Sequence, residues 1–162
     1  AERLETIDFT ASYYESTHVL LVKKDSKYAS ASKLADFAGA TVIGQTGTIY
    51  ADLVPQAVAA GAVAGNNLAT VPLIVNAILN DTVDATIVEE PVAKGICSQY
   101  SNLSYVVLSD GFDVAKEDKV VSIGVRKGYD LTEEINEVLK NVLTESVRVQ
   151  LMEDAIANAP AE

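Results

Sequence analysis

Short apolar segments alternate with helix-length ones between residues 40 and 108, and this alternation restricts the fold more than any other feature of the chain. Ala40-Thr41-Val42-Ile43-Gly44 reads as a strand, Thr48 to Ala60 as a helix, Asn67 to Thr70 as a short strand and Val71 to Leu79 as a helix. Val83 to Val88 then reads as a strand, Pro91 to Tyr100 as a helix and Ser104 to Leu108 as a strand. Strands apolar at nearly every position are buried on both faces, and intervening helices are the crossovers that parallel neighbours require. The expected class is α/β, with an open, parallel-rich sheet covered by helices on both faces. Pro72 suits the first turn of its helix, where a missing N–H does no harm. Pro55 falls inside a predicted helix and removes one of its hydrogen bonds.

Outside this stretch, His18-Val19-Leu20-Leu21-Val22 reads as a buried strand, Lys23 to Ser32 as a loop and the segment up to Phe37 as a short helix. Ser109 to Lys119 is polar and predicts a surface loop, and Val120 to Val125 a returning strand. Helices are predicted over Leu131 to Leu143 and Ser146 to Ala157. Ile135, Val138, Leu139 and Val142 share helical spacing, which makes one face of the first of these helices core.

Charge narrows the partners. Twelve Lys and Arg against 23 Asp and Glu leave a net charge of -11, which opposes binding to nucleic acid or anionic lipid. Cys97 is the single cysteine and cannot form an internal disulfide, and His18 is the single histidine, too few nitrogen and sulfur ligands for a structural zinc site. Neither a metal nor a cofactor is expected. The apolar runs are far shorter than a membrane span. No charged segment followed by an apolar one opens the chain, so any export signal is expected to have been removed or left out.

Two segments carry chemistry suited to a small zwitterion. Gln45-Thr46-Gly47-Thr48 joins a strand to a helix and offers backbone N–H groups and hydroxyls to an anion at the helix N-terminus. It lacks the lysine of a nucleotide-binding phosphate loop, since Thr48-Ile49 stands there, so ATP is not the expected ligand. Taken alone it is compatible with a plain chain reversal. Weight comes from Glu89, which ends the strand Val83 to Val88 at the edge where open α/β sheets collect ligands and offers a carboxylate to an ammonium. Glu90, next along, is expected to be a helix-start charge. His18 is expected to be structural or on the surface, Cys97 a small core residue, and Tyr13 and Tyr14 packing residues. The Asn80-Asp81-Thr82 and Asn102-Leu103-Ser104 sequons are too common a pattern to be informative.

Four stretches in order extend this reading: Glu2-Arg3 with Ile7-Asp8-Phe9-Thr10 and Tyr13-Tyr14; Val42 to Thr48; Asp84-Ala85 through Glu89-Glu90-Pro91-Val92-Ala93; and Ile123-Gly124-Val125-Arg126-Lys127-Gly128. Over nearly its whole length the chain resembles the amino-acid-binding family of extracellular solute-binding proteins, the receptors of ABC importers. The resemblance implies a periplasmic-binding-protein-like fold, truncated at its N-terminus, with one complete lobe and an incomplete first lobe. Residues 1–18 would be a remnant of lobe 1, residues 19–125 lobe 2 with both hinge strands, and residues 126–162 C-terminal helices returning to lobe 1. It implies capture of a free amino acid by hinge closure, without catalysis.

By the same resemblance, Arg3 would grip the ligand carboxylate as a bidentate fork, Thr46, Thr48 and the Ile49 N–H would complete the carboxylate cradle, Gln45 would lie near the ligand side chain and Glu89 would receive the ammonium. Val19, Leu20, Leu21 and Val22 with Val121, Ser122 and Ile123 would form the hinge. The family usually has aspartate where Glu89 stands, and often Ser or Thr where Ile49 stands. An amino acid ligand, an ABC permease and an extracellular or periplasmic location with a membrane tether, as in a lipoprotein, are implied partners and place. An incomplete first lobe would favour a dimer or strand exchange. The alternatives are a sensor or accessory domain of a larger receptor or cell-wall enzyme, and a cyclohexadienyl-dehydratase-like enzyme using Glu89 for acid-base work.

Overall fold

The computed structural model describes residues 5–158. In chain order its strands are β1 (Ile7–Phe9), β2 (Tyr14–Glu15), β3 (His18–Lys23), β4 (Thr41–Ile43), β5 (Val63–Ala64), β6 (Ala85–Glu89), β7 (Leu103–Val106), β8 (Val120–Val121) and β9 (Gly124–Arg126). The α-helices are α1 (Ile49–Ala59), α2 (Val71–Leu79), α3 (Glu90–Gln99), α4 (Lys116–Lys119), α5 (Thr132–Asn141) and α6 (Glu145–Ala157). Two compact units result, one of residues 17–113 and the other of residues 5–16 with 114–158. Residues 114–125, expected with lobe 2, group with the second of these units.

The larger unit is built on a five-stranded sheet of order β5-β4-β6-β3-β7. β4 pairs parallel with both β5 and β6, whereas β3 runs antiparallel to β6 and to β7. Four strands therefore point one way and β3 the other, so the sheet is mixed rather than built of parallel pairs throughout. Val19, Leu20, Leu21 and Val22 of β3 are all 0% exposed. An apolar run of this kind signals burial on both faces and carries no information about strand direction.

Alternation along each strand divides the core. Val19, Leu21, Ile43 and Val88 pack in one cluster with Ile74, Val75 and Ile78 of α2 and Ala93 and Ile96 of α3. Leu20, Val22, Val42 and Ile87 alternate with these and are equally buried, on the face where α1 and the 3-10 turns Lys27–Ser30 and Leu34–Phe37 pack. The segment before Phe37 is thus two short 3-10 turns. Ser26 caps the first by accepting the Tyr28 N–H at 3.0 Å. α1 continues through Pro55, which costs it one internal hydrogen bond but leaves Leu53, Val54 and Ala57 buried.

Asp84 joins the start of two strands. Its carboxylate accepts the Thr41 N–H at 2.7 Å while its own N–H donates to the Thr41 carbonyl at 2.9 Å. The strand expected at Asn67 to Thr70 is replaced by β5 at Val63–Ala64 and a single bridge from Gln45 to Leu68. The chain from Asn67 to Ala69 braces the turn after β4, as described below.

In the second unit, β1 pairs antiparallel with β9 and β2 with β8. The strand predicted over Val120 to Val125 is therefore two short strands in separate two-stranded sheets. Between them, Ile123 accepts the Thr10 N–H at 3.0 Å and donates its own N–H to Thr10 Oγ1 at 3.0 Å. Asp8 accepts from Lys127 Nζ at 2.8 Å and from the Gly128 N–H at 2.8 Å, and these bonds hold its carboxyl below the usual range. On α5 Leu139 is buried and Ile135 half-buried, while Val138 is 52% and Val142 61% exposed, so the expected core face is covered only in part. The end of the predicted 109–119 loop is helical, as α4.

Candidate functional site

The site lies in the larger unit, at one end of the pair β4 and β6. Val42 pairs with Ala85 and Ile43 with Thr86 in parallel register, so both strands end at the same edge of the sheet. The Gln45–Thr48 turn leaves one strand there and Glu89 ends the other. Thr86, fully buried, ties the two together by donating its hydroxyl to the Ile43 carbonyl at 3.1 Å.

Gly44 sets how closely the turn folds onto its helix. A Cβ at this position would stand 2.5 Å from backbone atoms of Tyr50 and Ala51, inside van der Waals contact. Past it the Thr48 N–H donates to the Gln45 carbonyl at 3.3 Å, with Gly47 at φ +77, the left-handed region that glycine enters without steric cost. Thr48 is the N-cap of α1: its hydroxyl donates to the Gln45 carbonyl at 2.8 Å and accepts the Tyr50 N–H at 3.3 Å. Ile49 is the first residue of the helix and half-buried, and its N–H has no carbonyl a turn earlier within α1 to bond.

A neighbouring segment holds the turn in shape. The Gly44 N–H donates to Asn67 Oδ1 at 2.9 Å, the Thr46 N–H donates to the Leu68 carbonyl at 2.9 Å and Gln45 Nε2 donates to the Ala69 carbonyl at 3.0 Å. Gln45 thus has its amide nitrogen engaged by the protein itself. Asn67 was not singled out by sequence; its bond spans 23 residues, and no local pattern announces it.

Glu89 is half-buried and accepts at Oε1 from the Tyr50 hydroxyl at 2.9 Å. Burial, and then the bond to Glu89, raise the Tyr50 phenol above its ordinary range, so it stays a neutral donor. Tyr50 is the residue that sequence reasoning missed: it follows the turn and occupies the second position of α1, from which it reaches across 39 residues. The buried His18 stands opposite Glu89 in the β3–β6 register, with its ring 5.8 Å from that of Tyr50. Histidine here is an interior residue beside the site. Glu90 forms an ion pair with Lys94 one helical turn on, at 2.8 Å, as a helix-surface charge does.

Gln45, Thr46, Thr48, Ile49 and Glu89 are therefore gathered at one sheet edge. Arg3 lies outside the described residues. In β3, Val19 pairs with β6, and Leu20, Leu21 and Val22 pair with β6 on one edge and β7 on the other. Val121 ends β8, and Ser122 and Ile123 lie between β8 and β9. Tyr13 and Tyr14 line a cavity of about 430 Å³ in the smaller unit with Lys116, Glu145 and Arg148. Cys97 packs against the α2–α3 core cluster, and burial pushes its thiol up. Among the described residues no group of acids, histidine and cysteine could hold a metal ion.

No protein-family model matches the sequence. The arginine-binding extracellular protein ArtP of Bacillus subtilis (strain 168) is 30% identical over 141 residues, which is 87% of this chain and 53% of that protein. A solved structure of an ancestral arginine-binding protein bound to arginine is 25% identical, with a TM-score of 0.65 over 94% of this chain and 66% of its own. The chain is a relative of the extracellular amino-acid-binding proteins. Its fold is the periplasmic-binding-protein-like one that these amino acid binders share. The amino acid ABC transporter substrate-binding protein AbpA of Streptococcus pneumoniae, solved with L-arginine, superposes on 96% of this chain with a TM-score of 0.72 at 24% identity. The chain spans about half the length of ArtP and 63% of that of AbpA. These relatives are binding proteins. Among the described residues no helix is long and apolar enough to cross a membrane.

Proposed function

We propose that the protein is the substrate-binding component of an amino-acid ABC importer, and that the edge formed by β4 and β6 is its amino acid site. The observation that carries this reading is the parallel register of Ile43 with Thr86, which sets the Gln45–Thr48 turn beside the Glu89 carboxylate. The N-terminus of α1 suits a carboxylate, because the helix dipole favours negative charge there and the Ile49 N–H has no carbonyl a turn earlier to bond; the Thr48 hydroxyl would join it by turning its proton from the Gln45 carbonyl to the ligand. Glu89 suits the ammonium through a charge-assisted hydrogen bond. Arg3 would supply the second grip on the carboxylate and Gln45 a contact to the ligand side chain.

Capture by closure of two hinged lobes, with lobe 2 built on the unit of residues 17–113, belongs to the same proposal, as does recognition by an ABC permease. The names of the relatives support an amino acid ligand: ArtP is arginine-binding, and the ancestral protein was solved with arginine and also with glutamine. An extracellular or periplasmic place with a membrane tether follows from that role. Isothermal calorimetry with the twenty common amino acids tests it. The expected result is saturable heat with a subset, weakened about tenfold or more by Glu89→Gln, as the loss of a charged hydrogen bond implies. Absence of heat with every amino acid would overturn it.

The smaller unit exposes Val138, Val142, Val147, Val149 and Leu151. Pairing with a second copy, by this surface or by strand exchange, is the proposed means of covering it. Light scattering behind a sizing column should give twice the monomer mass; a monomer at all concentrations would exclude it.

A further inference from the structure

His18 and Glu89 face each other across the β3–β6 pair, at the end of the sheet where the amino acid site is proposed. Residues opposed in an antiparallel register project to the same face, with Cβ atoms about 4.5–5.5 Å apart. That face is the one covered by α1, because His18 lies two residues before Leu20 and Glu89 two residues after Ile87. Tyr50, in the first turn of α1, meets both of them. Its hydroxyl donates to Glu89 Oε1 at 2.9 Å, and its ring stands 5.8 Å from the imidazole at a tilt of 56°. Just beyond, the Glu90 N–H donates to the Thr17 carbonyl at 2.9 Å and holds the two strand ends together.

From this placement we infer that the charge on His18 decides whether Glu89 is available to a ligand cation: the neutral imidazole leaves the carboxylate free, and the imidazolium claims it. The inference rests on the amino-acid-binding reading and adds to it a proton that competes with the ligand. His18 acts through Glu89 and is a positioning residue.

Imidazole is the side chain whose charge ordinarily changes between pH 5 and 8. Burial penalises the imidazolium, and an anion within roughly 4–6 Å offsets that penalty. His18 is buried, and Glu89 stands opposite as the anion. The other titratable groups around β3 are placed or engaged elsewhere. On α1 the Tyr50 phenol is a neutral donor and Asp52 is exposed. Glu90, opening α3, is paired with Lys94 at 2.8 Å, and Val71–Leu79 of α2 contains no titratable side chain. Tyr105 of β7 opposes Leu21 and so lies on the other face, while Lys23 at the far end of β3 holds Asp81 at 2.8 Å. In the turn Lys27–Ser30, Lys27 lies over the Tyr28 ring. An imidazolium beside Glu89 cancels most of the field that an ammonium would feel, and the two cations repel each other. Linkage makes the effect reciprocal: an ammonium bound to Glu89 drives the proton off the imidazole. Affinity is therefore full where the imidazole is neutral and falls as pH drops through its titration.

His18 is the single histidine of the chain, so its ring signals in a proton NMR spectrum need no assignment. The titration is followed from pH 8 to 5 in the natural chain and in Glu89→Gln, with no ligand present. In Glu89→Gln the proton affinity of the imidazole should fall about 3- to 10-fold, as expected for loss of one half-buried neighbouring charge. Identical titrations in the two chains, or an imidazole that stays neutral throughout in the natural one, would overturn the inference. Calorimetry with the twenty common amino acids then compares pH 7.5 with pH 5.5, a window above the ordinary carboxylate range of about 4. Affinity in the natural chain should drop roughly 3- to 10-fold toward pH 5.5, and His18→Gln should remove most of that drop. A drop of the same size in His18→Gln would also overturn the inference; should that variant fail to fold, the imidazole titrations decide alone. Absence of heat with every amino acid at pH 7.5 overturns the amino-acid-binding reading and the competition with it. The imidazole titration uses no ligand and separates that failure from the failure of the His18–Glu89 pair.

Discussion

The Tyr50 hydroxyl donates to Glu89 Oε1 at 2.9 Å and so links the first turn of α1 to the last residue of β6. Burial first, then the hydrogen bond to the Glu89 carboxylate and the repulsion of a second anion beside it, displace the titration of this phenol upward from an ordinary value of 10.0. The linkage sign follows. A group titrating higher in the folded than in the unfolded chain contributes stability that is fully present below about pH 10 and is lost as pH rises toward the folded value. Urea midpoints measured from pH 8 to 11 should therefore fall more steeply for the natural chain than for Tyr50→Phe. In Glu89→Gln the phenol should ionise earlier, since the neighbouring charge is gone. Parallel midpoint curves for the natural chain and Tyr50→Phe would show that the bond does not persist in solution.

Gly44 and Gly95 make opposite predictions from the same substitution. A methyl at Gly44 meets the backbone of Tyr50 and Ala51 at 2.5 Å, and backbone cannot rotate aside as a side chain can. Gly44→Ala should cost about 1–3 kcal/mol by overpacking and loosen the turn beside Glu89. Gly95 lies inside α3 with nothing within 4 Å of its added Cβ. Gly95→Ala should stabilise by roughly 0.5–1 kcal/mol through helix propensity. Urea denaturation of both variants checks the pair, and a neutral Gly44→Ala would contradict the close approach of turn and helix.

The parts of this arrangement visible in the sequence are those written in local pattern. Apolar runs at Val19–Val22 and Ala85–Val88 announced buried strands, and the glycine-bearing turn before α1 announced a strand-to-helix junction. Direction was not visible, because β3 is as apolar as its parallel-running neighbours and only pairing reveals that it runs against them. The same limit hid Tyr50 and Asn67. Their bonds to Glu89 and Gly44 close distances of 39 and 23 residues, and a tyrosine or asparagine in a helix start or loop has many local explanations. Val138 and Val142 failed for another reason: helical spacing identifies a face that can be buried, while burial itself depends on what packs there.

Cys97 tests the packing of α3 on the sheet. Its thiol is pushed up chiefly by burial, with Lys24 opposing weakly, and the reactive thiolate is correspondingly scarce. A disulfide reagent at pH 8 should modify it more slowly than it modifies a free thiol, and the difference should disappear in urea. Rapid labelling of the native chain would mean that α3 does not pack as described.

Thr48 combines two roles that one substitution series can separate. Its oxygen accepts the Tyr50 N–H at 3.3 Å and its proton goes to the Gln45 carbonyl at 2.8 Å, so the residue caps α1 and closes the turn at once. Loss of an N-cap hydroxyl costs about 1 kcal/mol, and that is the expected fall in stability for Thr48→Ala. Thr48→Asp keeps the capping acceptor and should hold most of the stability, but it places a fixed negative charge where the ligand carboxylate is proposed to sit. Thr48→Ser should preserve both properties. Amino acid affinity should therefore rank Ser above Ala above Asp, while urea midpoints rank Ser with Asp and place Ala lowest. The two rankings diverge only if the turn binds an anion; affinity that follows stability across all three variants would reduce Thr48 to a helix cap.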